Sequence, residues 1–189
     1  MMIMSLVSLP IIIRALGDKD YGLYILIFGI VSLVVGISNL GLGFTAMRQL
    51  PSAESISARA DVYYPQFFSH IFIGCLLFLV VNLFSIYSSL GDYFENKQIN
   101  PLLVSLYFLL YPIYIQLHRL FKYSQKTNSL NLISICLPAT YLLALSILFY
   151  VLDEVSVNSL FKAHVISVVV SIFIGWIRVK KIINFKFIL

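Results

Sequence analysis

Tyr107, Tyr111, Tyr114 and His118 recur at i, i+4, i+7 and i+11, which places them on one stripe of an α-helix. A stripe of polar-tipped rings can stack against the faces of sugar rings. It can equally pack in a core with its hydroxyls satisfied, and that is the plainer reading. His164, Ser167, Ser171 and Gly175 form a comparable face, and packing is again the plainer reading. Gly22, Gly29, Gly36 and Gly43 follow a constant seven-residue spacing, with Ser32 and Asn39 between them. In lipid, small residues let two backbones approach and an amide hydrogen-bonds across the contact. A tight helix–helix contact is therefore expected. The alternative is a mobile helix whose small face borders a water-filled cavity, favoured by Asn39, since a buried amide needs partners.

The remaining polar groups point away from covalent chemistry. Arg14, Arg48, Arg119 and Lys162 lie at the ends of apolar stretches, where long cations snorkel and anchor a helix. Arg14 and Arg48 could instead meet an anionic lipid head group. No Asp or Glu falls inside an apolar stretch, so the intramembrane carboxylate typical of proton and sodium antiporters is missing. His70, His118 and His164 fall on three separate stretches without a ligand spacing, and Cys75 and Cys136 serve as small apolar residues. The sequence has no G-x-S-x-G, H-E-x-x-H, P-loop or aspartate cluster. The expectation is a protein that is not an enzyme and uses no metal and no cofactor.

The elements that must position these residues follow from composition. Of 189 residues, 60% are hydrophobic and 11% charged, with a mean hydropathy of +0.96. Too few polar side chains remain to cover a water-soluble globule, and disorder is excluded for the same reason. The expected fold class is all-α: an integral membrane bundle of six transmembrane helices. The spans are expected at about 1–13, 21–44, 67–90, 102–117, 130–152 and 159–177, in a single unit covering 1–189. The first is short, and it lacks the basic leader of a signal peptide. Pro112 and Pro138 should kink the fourth and fifth spans. Residues 47–66 are the longest polar stretch, and a short surface helix is expected there.

The net charge of +5 is informative through its placement and carries no nucleic-acid signal. Arg48, Arg59, Arg119, Lys122, Lys126, Arg178, Lys180, Lys181 and Lys186 fall on one side of the expected spans. Only Arg14, Lys19, Lys97 and Lys162 fall on the other. The bias of basic residues toward cytoplasmic loops then puts both N- and C-termini in the cytoplasm. Tyr21, Tyr24, Tyr63, Tyr64, Tyr87, Tyr93, Tyr123, Tyr150 and Trp176 sit near span ends and are expected as interfacial anchors.

The opening resembles that of bacterial polysaccharide exporters. The segment IIIRALGDKDYGLY, residues 11–24, offers Arg14, Leu16, Gly17, Asp18, Asp20, Tyr21 and Gly22. The segment ISNLGLGFTAMRQL, residues 37–50, offers Leu40, Gly41 and Arg48, with Asn39 where an acid is more usual. Residues 118–132, HRLFKYSQKTNSLNL, are loosely similar to the basic loop between helices four and five of that family. Locally, Gly17 can end the first helix in a left-handed cap, and Asp18 or Asp20 can cap the second.

The resemblance is to O-antigen and teichoic-acid flippases of the multidrug/oligosaccharidyl-lipid/polysaccharide exporter superfamily. It implies a multi-pass protein of the bacterial inner membrane that flips an undecaprenyl-pyrophosphate-linked oligosaccharide. Six spans would make one lobe of a two-lobe exporter, so the chain is expected to be truncated or split, or to pair with a second six-helix lobe, and a lone lobe is not expected to flip substrate unaided. The resemblance makes Arg14 and Arg48 the candidates for pyrophosphate contact. Asn39, Tyr107, Tyr111 and Tyr114 are candidates for sugar contact. The alternatives are a six-helix substrate-binding component of a multisubunit importer, or a drug antiporter lobe.

Overall fold

The computed structural model describes residues 2–38, 42–53, 55–87 and 99–179. They form helices and turns, with no strand among them. The helices are α1 (Met2–Ser38), α2 (Leu42–Ser52), α3 (Ile56–Tyr87), α4 (Pro101–Tyr123), α5 (Thr127–Ser146) and α6 (Val157–Val179). A π-helical turn, Ile147–Val151, extends α5. Four segments are long and apolar enough to cross a membrane: Ser57–Leu83, Pro101–Tyr123, Thr127–Val151 and Val157–Val179. They carry the third to sixth expected spans. The first expected span falls on α1, and the second, 21–44, runs from α1 across residues outside the described ones into the start of α2.

Local chemistry sets the helix ends. Asn100 caps α4, its side chain accepting from the Leu102 amide at 3.0 Å, and Pro101 follows at the first helical position. Proline suits that position because its missing N–H would have no partner there. At the start of α6, Ser156 and Ser159 cap reciprocally: each hydroxyl accepts the other's amide, at 3.2 and 3.0 Å. That is a capping box with serine in the role usually taken by Glu or Gln. α4 and α5 are joined by a tight turn in which Gln125 adopts φ 56°.

α1 is two helical segments joined at Gly17, where φ is 75° and ψ 166°. The expected break is there, but not as a left-handed cap, whose ψ would be near +45°. The backbone instead enters a region that only glycine occupies readily.

α4 and α6 form the centre of the bundle. α3 packs along α4, α5 packs along α6, and α1 lies more loosely across α4, α5 and α6. The close approaches occur at two glycines. A β-carbon on Gly74 would sit 3.2 Å from the Leu109 carbonyl oxygen, so α3 and α4 touch backbone to backbone. A β-carbon on Gly175 would sit 2.9 Å from Ile133 Cδ1 and 3.3 Å from Leu117 Cδ1. Ser167, Ser171 and Gly175 are buried, as the packing reading of that face requires.

The glycine stripe of α1 corrects its expectation. Nothing lies within 4 Å of a β-carbon placed on Gly22, Gly29 or Gly36. Among the described residues these three glycines make no tight contact. α1 turns its large residues Leu23, Tyr24 and Ile27 inward instead. Burying large rings and aliphatics removes more surface than burying glycines would. Asn39 lies outside the described residues, as do the surroundings of Gly43.

The polar stretch 47–66 divides. Its first part belongs to α2 and its second to the start of α3, which begins eleven residues before the expected third span. Arg119 is likewise helical: it lies on the last turns of α4, half-buried, with Nη1 lacking a hydrogen-bond partner among the described residues.

α3 and α4 are also joined by polar groups. His70 and Gln116 are each 1% exposed. Gln116 Nε2 lies 2.7 Å from His70 Nδ1 and 2.8 Å from His70 Nε2, and Nδ1 also lies 2.9 Å from the Gln66 carbonyl oxygen, which leaves Nε2 as the nitrogen free to accept from the amide. One tautomer satisfies both: Nδ1–H donates to the carbonyl and Nε2 accepts from the amide. Gln116→Leu leaves that nitrogen without the amide, at an expected cost of about 1–3 kcal/mol. The His70→Leu/Gln116→Leu double variant should recover part of the loss. Thermal unfolding of the singles and the double checks this; strictly additive shifts would refute the coupling.

Candidate functional site

A cavity of about 350 Å³ is walled by α1, α4, α5 and α6. Both segments of α1 contribute: Leu9 and Ile12 before Gly17, then Tyr21, Tyr24, Ile25 and Phe28 after it. α4 contributes Tyr107 and Tyr111, α5 contributes Leu137, Pro138, Tyr141 and Leu142, and α6 contributes His164, Ser167 and Val168. Among the described residues no Asp, Glu, Lys or Arg lines it.

His164 is the hub. Its Nε2 shares a hydrogen bond with the Tyr24 hydroxyl, 2.6 Å away, which ties α1 to α6. The Tyr141 ring stacks on the imidazole at 4.3 Å between centroids, with 20° between the planes. Tyr107 and Phe28 follow at 5.3 and 5.4 Å. From there a ladder of rings climbs α4: Tyr107 to Tyr111 at 5.1 Å, Tyr111 to Tyr114 at 6.0 Å, Tyr114 to His118 at 6.1 Å. His118 Nε2 ends it, 3.1 Å from the Ser134 hydroxyl of α5. Offset or tilted rings at such separations attract one another beyond simple burial.

Pro138 shapes the wall. It has no N–H to give to the Ser134 carbonyl one turn earlier. Thr140 turns its hydroxyl onto the backbone nearby, donating to the Cys136 carbonyl at 2.7 Å.

The expected site residues separate. Tyr107 and Tyr111 face the cavity. Tyr114 continues their stripe but is buried in the packing beyond it. Arg14 lies on the other face of the first α1 segment, in a separate groove of about 350 Å³ with Pro10, Ile11, Ala15, Phe149, Tyr150 and Val155. Arg48 is exposed on α2 and lines neither space. Asn39 lies outside the described residues.

Sequence reasoning missed the hub. Tyr24 is 7% exposed and bonded to His164, so it is not an interfacial anchor. Tyr63, also expected as an anchor, is 1% exposed. Tyr150 is exposed, as an anchor would be. His164 was visible only as part of a packing face, and Tyr141 carried no periodic signal.

The described residues make an all-helical bundle with four helices long and apolar enough to cross a membrane. Residues 1–189 match the family described as polysaccharide biosynthesis protein, and the chain belongs to that family. No curated protein and no solved structure shows significant similarity to it.

Proposed function

We propose that the chain is a six-span lobe of a transporter that moves an undecaprenyl-pyrophosphate-linked oligosaccharide across the bacterial inner membrane. In this reading both termini are cytoplasmic and the two segments of α1 are the first two spans. A second lobe completes the pathway, and no bond is made or broken in the cargo. The family match over the whole length carries the reading. The aromatic chamber supports it, because ring faces suit the C–H faces of sugars while hydroxyl and imidazole tips suit their hydroxyls.

Arg14 and Arg48 are the groups for the pyrophosphate. A guanidinium meets a phosphate with two parallel hydrogen bonds. Neither cation is in the chamber, so the anionic head and the sugars would occupy different places.

The test is genetic. Cells lacking the gene should lose surface polysaccharide and accumulate lipid-linked repeat units on the cytoplasmic side. Unchanged surface polysaccharide would overturn the reading. Within it, Arg14→Ala or Arg48→Ala should cut surface polysaccharide about tenfold at equal protein level, the loss equivalent to about 1.4 kcal/mol of head-group binding. Wild-type polysaccharide in either variant removes that residue from the pathway.

A further inference from the structure

The chamber has a composition that selects among sugars. Six aromatic side chains line it, Tyr21, Tyr24, Phe28, Tyr107, Tyr111 and Tyr141, together with the His164 imidazole. Its polar atoms are hydroxyl and imidazole groups, and among the described residues no cationic or anionic side chain reaches it. The salt bridge between Lys162 and Glu154 lies apart from it, near the start of α6. Its volume, about 350 Å³, is at the small end of the ~300–1,000 Å³ typical of small-molecule sites. That is room for a ring or two, not for a whole repeat unit.

Resting on the transporter reading above, we propose that this chamber is a subsite for one uncharged sugar ring and rejects acidic sugars. A buried carboxylate needs an opposite charge or several strong donors, and without them desolvation outweighs what it gains. A hexuronate entering here would meet aromatic faces, whose quadrupole is negative and repels an anion. A neutral pyranose meets the same faces through its C–H edges, and its hydroxyls reach the Tyr24–His164 pair. The Tyr141 ring, stacked on His164 at 4.3 Å, forms one wall of the subsite. Arg14 stands outside, on the opposite face of the first α1 segment. The geometry therefore divides neutral and anionic parts of a ligand between two sides of one helix.

The test uses the full chain in phospholipid nanodiscs, free of sugar-headed detergent, with two probes. These are methyl N-acetyl-β-D-glucosaminide and methyl β-D-glucuronide, compared by saturation-transfer NMR at equal concentration. Transfer to the neutral glycoside should exceed transfer to the glucuronide at least fivefold. Tyr141→Leu should abolish it and Tyr141→Phe should keep it, with unchanged helical circular dichroism in both. Equal transfer to both probes, transfer to neither, or full transfer to the neutral probe in Tyr141→Leu overturns the proposal. If Tyr141→Leu does not fold, Phe28→Leu takes its place with the same expected loss. The two readings fail separately. Intact surface polysaccharide in cells lacking the gene sinks the transporter and leaves the NMR result standing. Equal binding of both glycosides sinks the subsite and leaves the transporter standing.

Discussion

Gly17→Ala is expected to lower stability by about 1–3 kcal/mol, the usual cost of forcing a residue with a side chain into a backbone region that glycine alone occupies readily. The position isolates the backbone effect. Nothing lies within 4 Å of a β-carbon there, so no clash contributes. Gly22 supplies the control, five residues on in the same helix, with equally open space and no positive φ. Gly22→Ala should be neutral or stabilising by about 0.5–1 kcal/mol, because alanine loses less backbone entropy in a helix. Thermal unfolding in nanodiscs compares them. Equal shifts for the two variants would mean that the corner at Gly17 is not part of the folded state. The variant should also disturb the chamber, since Leu9 and Ile12 reach it from one side of the corner and Tyr24 and Phe28 from the other.

Gly74→Leu is the second large effect. At Gly74 the neighbour is the Leu109 backbone, with the carbonyl oxygen at 3.2 Å and Cα at 3.4 Å from the missing β-carbon. A carbonyl inside a helix cannot swing aside as a side-chain tip can. α3 and α4 must therefore separate, at about 1–3 kcal/mol or more for overpacking. Gly29→Leu, facing open space in this chain, should change little. His70 lies one turn from Gly74, so the separation should also loosen the Gln116–His70 hydrogen bond. Gly74→Leu and Gln116→Leu together should then cost less than the sum of the two. Additive losses, or a stable Gly74→Leu protein, would show that α3 and α4 are not in backbone contact.

The sequence made the last four long helices legible because their apolar runs match what a membrane demands in length. It also made the corner at Gly17 legible, because a glycine followed by acids between two apolar runs has few other uses. The stripe at Tyr107 and Tyr111 was legible as a face, since helical spacing fixes direction. Whether that face met a core or a chamber was not, because the answer depends on Tyr24, Tyr141 and His164, which arrive from three other helices. Tyr24 was misread for a definite reason: a tyrosine near a span end looks the same whether its ring points to the head groups or to a histidine 140 residues away. The glycines were misread for another. A regular spacing of small residues shows which positions share a face, not which way that face turns. Of the real close contacts, Gly175 belongs to the spaced face of His164, Ser167 and Ser171, whereas Gly74 stands alone and carries no spacing.

α3 has one consequence beyond its packing. Its 32 residues reach about 48 Å, against about 30 Å of hydrocarbon. Roughly 18 Å of rod is left over, by the same figures, unless the helix leans. The N-terminal end carries Arg59 and Asp61, and Arg59 clasps the chain just after α2, its Nε donating to the Ala53 carbonyl at 2.9 Å. Pro65 has no N–H to give to the Asp61 carbonyl, so the backbone ladder lacks one bond between that clasp and His70. α3 thus carries its surplus length at the end tied to α2, and the missing backbone bond at Pro65 falls between that tie and the buried seam with α4.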